Sequence, residues 1–270
     1  MSVGEAMNAA PALNVLVAGG SGASGIAVAG ALREAGFRVF TAGSDRTRIE
    51  AAAFRAGDGV TPLVCDLANL EDVQSLREKL AASAVTVDGV IHLVGGWRGA
   101  KGIPDQSDAD WEFLERGAIT TLRNVSRVFY TDLAGSRCGR FAMVSSTAVD
   151  KPAAATASYV AAKAAAEAWT MAMAEGFGRT AGKGTGGPAD LSCAAVVLVV
   201  KALVDAELRK QQPERTFPGA TDVADLAAAV VGLFGRPAAE LNGRRLLLAP
   251  RQPSKGDPSA VRPSVHRLKV

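Results

Sequence analysis

In the sequence LNVLVAGGSGASG, residues 13–25, a short apolar run is followed by glycines at intervals of three residues, Gly19, Gly22 and Gly25. The apolar run is typical of a buried strand, and the residues after it predict a helix. Glycine at a strand-to-helix turn allows positive φ and lets a diphosphate approach the backbone, whose free N–H groups favour anions. The stretch predicts a dinucleotide-binding turn, the alternative being a tight turn without a ligand. The expected cofactor contacts here are Gly19, Gly22, Ser24 and Gly25.

The rest of the chain alternates short apolar runs with helical segments, which is typical of a parallel sheet covered by helices on both faces. The predicted strands are 13–18, 38–42, 61–65, 89–94, 140–145, 191–200 and 244–248. The predicted helices are 25–35, 46–55, 70–82, 110–133, 158–177 and 223–233. The sequence therefore predicts an α/β, single-domain, doubly wound Rossmann fold with about seven strands over residues 12–249. Residues 1–11 are expected to form a flexible leader, and residues 250–270 a mobile tail.

Composition excludes several classes of protein. The chain has 270 residues, 48% of them hydrophobic, and a formal net charge of +3, which is too weakly basic to predict nucleic-acid binding. No apolar run reaches the ~18 residues that a membrane span needs. The three cysteines are widely spaced and neither histidine has a close metal-binding partner. We therefore expect a cytoplasmic protein with a small-molecule substrate, free thiols and no metal site.

The residues after the second and third predicted strands indicate which nucleotide binds. NAD-binding proteins usually place an acidic residue at the end of the second strand, whereas this chain has Ser44 and Arg46 in the stretch TAGSDR, and Arg48 nearby. These side chains could hold a 2′-phosphate, so NADP(H) is favoured over NAD(H), with Asp45 as the ribose contact in the alternative. Asp66 could accept the adenine amino group or could cap a turn. Two further cofactor contacts are expected at Leu67 and Gly95.

A tyrosine and a lysine share one face of the alanine-rich segment SYVAAKAAAEAW, because Tyr159 and Lys163 are one helical turn apart. An ammonium group near a phenol favours the phenolate, which would bring the phenol's pKa towards the pH at which it works as an acid–base catalyst. Ser146 ends the fifth predicted strand, and hydroxyl groups at that edge of a parallel sheet face the ligand. It could hydrogen-bond a substrate oxygen. Ser146, Tyr159 and Lys163 are therefore the predicted catalytic residues.

The order and spacing of these residues resemble the short-chain dehydrogenase/reductase family over about residues 13–248, including a last helix in TDVADLAAAVVGLF, residues 221–234. The resemblance implies an NAD(P)H-dependent oxidoreductase that transfers hydride to or from a carbonyl or alcohol carbon. It implies that Tyr159 donates the proton, that Lys163 binds the cofactor ribose and lowers the tyrosine pKa, and that Ser146 steadies the substrate oxygen.

Three features depart from the family's pattern. Its NNAG after the fourth strand is replaced by HLVGGW, residues 92–97, and its PG after the sixth strand is absent. Its relay asparagine on the long helix corresponds by spacing to Ala118. These departures are expected to affect substrate class and efficiency more than fold or cofactor. They also favour one alternative, a non-catalytic NADP(H)-binding sensor, although such a protein has no need of Ser146.

A second alternative comes from Trp97, which is similar to a tryptophan near the pterin in dihydropteridine reductases, a divergent branch of the family. Trp97 could stack a planar ring, so we assign it with Ser146 to the substrate pocket. Those reductases generally lack the serine. A tryptophan that merely anchors its loop is the simpler interpretation.

Family members commonly assemble through two helices, and this also bears on the alanine-rich segment. Small side chains let helices approach closely, so the resemblance implies a homodimer or homotetramer through residues 110–133 and 158–177. A charged segment, Lys201–Gly219, is expected to form a lid over the substrate.

Overall fold

A computed structural model describes residues 11–182 and 191–248 of the chain. Apart from Pro11, the predicted leader lies outside these residues, as does the predicted tail after residue 249. Within the described residues no helix is both long and apolar enough to cross a membrane.

One parallel sheet of seven strands organises the molecule. The described residues contain the strands β1 (Asn14–Ala18), β2 (Arg38–Gly43), β3 (Thr61–Val64), β4 (Gly89–His92), β5 (Arg140–Ser146), β6 (Ala194–Val200), β7 (Leu203–Val204), β8 (Thr221–Asp222) and β9 (Arg244–Leu247). The order of the strands in the sheet is β3-β2-β1-β4-β5-β6-β9. All seven predicted strands are present, which confirms the predicted single-domain, doubly wound fold. The two-residue strands β7 and β8 pair with each other outside the sheet and are too short to leave a periodic signal.

Helices cover both faces of this sheet. They are α1 (Ala23–Glu34), α2 (Arg46–Ala56), α3 (Leu70–Ala82), α4 (Asp108–Glu115), α5 (Thr121–Gly135), α6 (Ala157–Gly182), α7 (Ala206–Gln211), α8 (Val223–Phe234) and α9 (Ala238–Leu241). The predicted helix 110–133 is interrupted, because residues 116–120 form a π-turn between α4 and α5. The short helices α7 and α9 were not predicted, since neither is long enough to show an apolar stripe.

The core lies in two layers, one on each side of the sheet. On one side Phe129 of α5 and Phe177 of α6 pack with Phe141 of β5. On the other side Leu32 of α1 and Leu226 of α8 pack against the opposite face of the same strands. Every residue of β6, an inner strand next to the edge strand β9, is buried, as expected for a parallel strand covered on both faces. The strand order reverses beside β1, and this leaves a crevice at the carboxyl ends of the central strands.

Candidate active site

Two adjoining cavities form one crevice beyond the carboxyl ends of the strands. The first cavity, of about 490 Å³, is lined by the turns after β1, β2 and β3 and by α4 and the π-turn. The second cavity, of about 620 Å³, is lined by residues at and after the ends of β4, β5 and β6 and by the start of α6. Their walls share Leu93, Val94 and Gly95, which directly follow β4. A ligand longer than either cavity could therefore lie across both.

The glycine turn after β1 forms the floor between the cavities. Gly19 has φ +89° and lies so close to Val94 that a Cβ would be 2.8 Å from the Val94 nitrogen. Gly22 faces open space, lines the first cavity and precedes α1 with no side chain capping the helix. Ser24 lines the second cavity. Gly25 instead packs against the turn, since its Cβ would be 2.6 Å from the Gly19 oxygen.

The part of the first cavity near the end of β2 is lined by one of the two arginines that were considered for the 2′-phosphate. Ser44 and Arg48 line the cavity, whereas the Arg46 side chain is 71% exposed and pairs with Glu50. The reason is the cap of α2, where the Asp45 carboxylate accepts the Arg48 backbone N–H at 2.8 Å. This cap makes Arg46 the first residue of the helix. Of the two arginines considered as 2′-phosphate contacts, the geometry therefore favours Arg48 over Arg46.

Asp66 is engaged in two contacts at the wall of the first cavity. One of its oxygens accepts the Ala68 N–H at 3.0 Å, and the other accepts Arg116 Nη2 at 2.6 Å. The residue thus caps a turn, as the simpler interpretation held, and still lines the cavity beside Leu67. Arg116 belongs to the π-turn, which sequence spacing could not place near Asp66.

Ser146 is the last residue of β5, and Tyr159 lies in the first turn of α6 and lines the second cavity. The Ser146 oxygen accepts the Ala148 N–H at 3.1 Å, which leaves the serine proton free to be donated. Burial raises the pKa of the Tyr159 phenol, and the Ser146 hydroxyl only partly opposes that effect. The predicted lowering of this pKa by Lys163 is therefore not found in the described structure, and the phenol stays protonated at neutral pH.

The ammonium group of Lys163 is turned towards the backbone of β5 rather than towards the phenol. Its Nζ donates to the Val144 oxygen at 2.9 Å, and a Cβ on Gly95 would be 3.4 Å from it. Burial lowers the pKa of Lys163 to about 8, an effect that the nearby Glu167 carboxylate opposes. Lys163 therefore lies in the second cavity between Tyr159 and the glycine after β4.

A histidine and a threonine connect β4 to the π-turn. Thr121 Oγ1 donates its one proton to the Gly117 oxygen at 2.6 Å, so His92 Nε2, 2.8 Å away, must donate to Thr121. Burial and the positive charge of Lys163 lower the pKa of His92 to about 3. The imidazole is thus neutral, and its Nε2 has a hydrogen-bond partner. Ala118, the predicted relay position, is buried in the π-turn against Tyr159.

A buried carboxylate on the same face as Lys163 was missed by the sequence analysis. Glu167 Oε1 accepts the Ser145 hydroxyl at 2.5 Å, and Glu167 Oε2 lies 2.7 Å from Arg245 Nε. Arg245 also pairs with Asp150 at 3.0 Å. The segment that contains Ser146 is therefore held on both sides, at Ser145 and at Asp150. The spacing of one turn between Lys163 and Glu167 was the available signal for this residue.

The outer wall of the second cavity brings together aromatic, apolar and cationic side chains. Trp97 is 63% exposed and lines it, in agreement with its assignment to a substrate pocket. Lys201, Leu203 and Arg215 line the opposite wall, from the segment predicted to form a lid. Among the described residues, no group of three or more His, Cys, Asp and Glu could hold a metal ion.

Comparison with known proteins identifies the family. The chain is 29% identical to nodulation protein G of Rhizobium meliloti (strain 1021) over 133 residues, 49% of this chain and 54% of that protein. It is 24% identical to nodulation protein G of Rhizobium sp. (strain N33) over 238 residues, 86% of this chain and 93% of that protein. The structure of NAD+-bound xylitol dehydrogenase has the same fold, with a TM-score of 0.74 at 18% identity over 88% of this chain and 97% of that one.

The family assignment itself rests on the sequence. A family model described as short chain dehydrogenase matches residues 13–181, which is more than half of the chain. This match covers the glycine turn and the segment from Ser146 to Lys163 on which the resemblance was based. The chain therefore belongs to the short-chain dehydrogenase family of oxidoreductases.

Proposed function

We propose that the protein is an NADP(H)-dependent oxidoreductase that reduces a carbonyl compound or oxidises the corresponding alcohol. The observation that supports the proposal most directly is that Tyr159 and Lys163 both line the second cavity, beside the carboxyl end of β5, where Ser146 lies. The same crevice continues to the glycine turn. Buried acid–base groups next to a cradle for a dinucleotide are what hydride transfer to a carbonyl requires.

The crevice fits a dinucleotide on two grounds. Gly22 offers open space at the uncapped start of α1, where backbone N–H groups and the helix dipole favour a diphosphate. The two cavities adjoin at Gly95, which lets one extended molecule occupy both. Lys163 uses one of its three protons on Val144, so two remain for ribose hydroxyl groups.

Tyr159 would act as the general acid in the reductive direction. Its raised pKa keeps the phenol protonated at neutral pH, so Oη can deliver a proton to the carbonyl oxygen. Ser146 would donate a hydrogen bond to the same oxygen and stabilise the charge that develops there. The reduced nicotinamide, when bound, supplies the hydride to the carbonyl carbon. In the oxidative direction Tyr159 would have to lose its proton first, so that direction is favoured at higher pH.

Arg48 and Ser44 support NADP(H) over NAD(H). Both line the first cavity, and β2 ends at Gly43 rather than at an acidic residue. The nearest carboxylate after β2, that of Asp45, already accepts a hydrogen bond from the Arg48 backbone N–H. An arginine pairs well with the 2′-phosphate that distinguishes NADP from NAD.

A binding titration tests the cofactor assignment. We expect nicotinamide fluorescence to report tighter binding of NADPH than of NADH, and Arg48→Gln to weaken NADPH binding about tenfold while NADH binding stays unchanged. Arg46→Gln is the matched control, because its side chain points to solvent. Equal losses in the two variants would contradict the role of Arg48. Binding of neither nucleotide to the wild type would overturn the proposed function.

Two further expectations concern the protein in the cell. We expect a homodimer or homotetramer through α4, α5 and α6, which light scattering at several concentrations would test.

We also expect the protein to work in the cytoplasm, since Cys65, Cys138 and Cys193 are all free thiols. Mapping of its location in the cell that makes it would test this second point.

A further inference from the structure

The second cavity carries an excess of positive charge. Its wall contains three cationic residues, Lys163, Lys201 and Arg215, and none of the described residues that line it is an aspartate or a glutamate. The first cavity is different, because Arg48 and Arg116 there stand beside Asp45 and Asp66. The imbalance is therefore confined to the half of the crevice that contains Tyr159.

The two outer cations are bound only to neutral groups. Lys201 Nζ donates to the Pro218 oxygen at 2.8 Å, and Arg215 Nη1 donates to Gln212 Oε1 at 2.9 Å. In the part of the chain that the structure describes, neither forms an ion pair. Arg209 provides a contrast on the same segment, since it lies 3.6 Å from the Asp222 carboxylate and does not line the cavity.

The guanidinium of Arg215 is held in a way that leaves a binding edge available. Its central carbon lies 5.2 Å from the centre of the Phe217 ring, and Nη1 is used by Gln212. Within the described residues Nε and Nη2 have no acceptor. Two parallel N–H groups on one edge match the two oxygens of a carboxylate or of a phosphate.

We propose that Arg215, assisted by Lys201, binds an anionic group of the substrate, so that the enzyme acts on carbonyl compounds that carry a carboxylate or a phosphate. The proposal rests on the proposed function for the position of the carbonyl, which lies at Ser146 and Tyr159. The apolar and aromatic side chains of Leu203 and Trp97 line the same cavity and would contact the part of the substrate between its two polar ends.

Paired probes test this inference by binding as well as by turnover. We would titrate the protein, with and without NADP+, with 4-phenyl-2-oxobutanoate and its ethyl ester, and with dihydroxyacetone phosphate and dihydroxyacetone. Calorimetry at fixed ionic strength is expected to show at least about tenfold tighter binding of the anionic member of a pair. The two pairs distinguish a carboxylate from a phosphate as the preferred group.

Variants of Arg215 and Arg209, both on the segment 201–219, distinguish a specific anion site from general electrostatic attraction. Arg215→Gln is expected to remove the preference for the anion, and Arg215→Lys to keep part of it, because the charge remains and the fork is lost. Arg209→Gln is the matched control and should leave it unchanged. Equal binding of both members of every pair, no binding of any anionic probe, or an equal loss in Arg209→Gln would overturn the inference.

The outcomes also separate this inference from the proposed function. Reduction of neutral and anionic carbonyls with equal kcat/KM would support the proposed function and overturn the anion site. Arg215-dependent binding of an anion without NADPH binding or turnover would support the anion site and overturn the proposed function. A higher kcat/KM for the anion that is lost in Arg215→Gln would support both.

Discussion

The two halves of the crevice are built in different ways. The first cavity is built from a glycine turn, an uncapped helix start and ion pairs exposed to solvent, such as Asp66–Arg116. The second cavity is lined by buried polar side chains, among them Ser145 and Lys163, each held by a partner. A nucleotide can thus be bound largely by backbone, whereas the proposed chemistry depends on individual side chains.

This difference predicts which substitutions matter in each half. In the first cavity a side chain can be exchanged at small cost to the stability of the fold, but an added Cβ at a glycine changes the backbone itself. In the second cavity a single polar atom decides whether a proton can move. The predictions below test this contrast, beginning with the largest expected effect.

Tyr159→Phe is expected to lower kcat by about two to four orders of magnitude, because it removes the proposed proton donor. The affinity for NADPH should change less than about twofold, since the ring remains. Rates of carbonyl reduction and fluorescence titrations measure the two effects. Tyr130→Phe is the matched control, because Tyr130 stacks on Phe177 away from the crevice. A Tyr159→Phe enzyme with the wild-type rate would show that the chemistry lies elsewhere.

Gly19→Ala is expected to weaken NADPH binding by at least about tenfold and to lower the free energy of unfolding by about 1–3 kcal/mol. The residue has φ +89° and its Cβ would approach the Val94 nitrogen to 2.8 Å. Urea unfolding and nucleotide titration measure the two losses. Gly36→Ala is the control, since φ is +87° there but no atom lies within 4 Å of a Cβ.

The comparison of these two glycines isolates the close contact from the backbone strain. Gly36→Ala should lose stability through strain alone and should bind NADPH normally. If Gly36→Ala weakened NADPH binding as much as Gly19→Ala does, the turn after β1 would not be the nucleotide-binding turn.

The sequence was sufficient for features that depend on short-range pattern. The buried strand β6 and the glycine turn follow from residue type and order alone, as does the juxtaposition of Tyr159 with Lys163. The choice between Arg46 and Arg48 could not be made from the sequence, because the direction of a side chain in the first turn depends on where the helix begins. Arg116 and Arg215 could not be placed, since their positions depend on a π-turn and on a long connection between elements.

Glu167→Gln is expected to shift the alkaline limb of kcat/KM towards lower pH. The pKa of Lys163 is about 8 because burial lowers it and Glu167 partly restores it, so loss of the carboxylate lowers it further. Lys163 then loses its proton as pH rises through a lower value. His92, on β4, is neutral in this range, and Tyr159 remains protonated. The rate at pH 8 should fall roughly threefold to tenfold.

A pH profile from 6 to 9.5 separates this effect from a loss of structure. A structural defect would lower the rate at every pH, whereas the expected change is small at pH 6 and grows with pH. Glu175→Gln on the same helix is the control, because Glu175 is exposed and pairs with Arg179. An unshifted limb would show that Glu167 acts only through Ser145 and Arg245.

Arg116→Gln should have the smallest effect on stability, although its 2.6 Å contact with Asp66 is as short as that between Arg77 and Asp132. The Arg116 and Asp66 side chains are 60% and 39% exposed, so solvent screens the pair and the free energy of unfolding should change by less than about 0.5 kcal/mol. Arg77→Gln is the comparison, with an expected loss of about 1 kcal/mol, because Asp132 is largely buried and accepts two nitrogens. Urea unfolding measures both. If Arg116→Gln lowered the free energy of unfolding as much as Arg77→Gln does, the first cavity would depend on its side chains for stability, as the second cavity does.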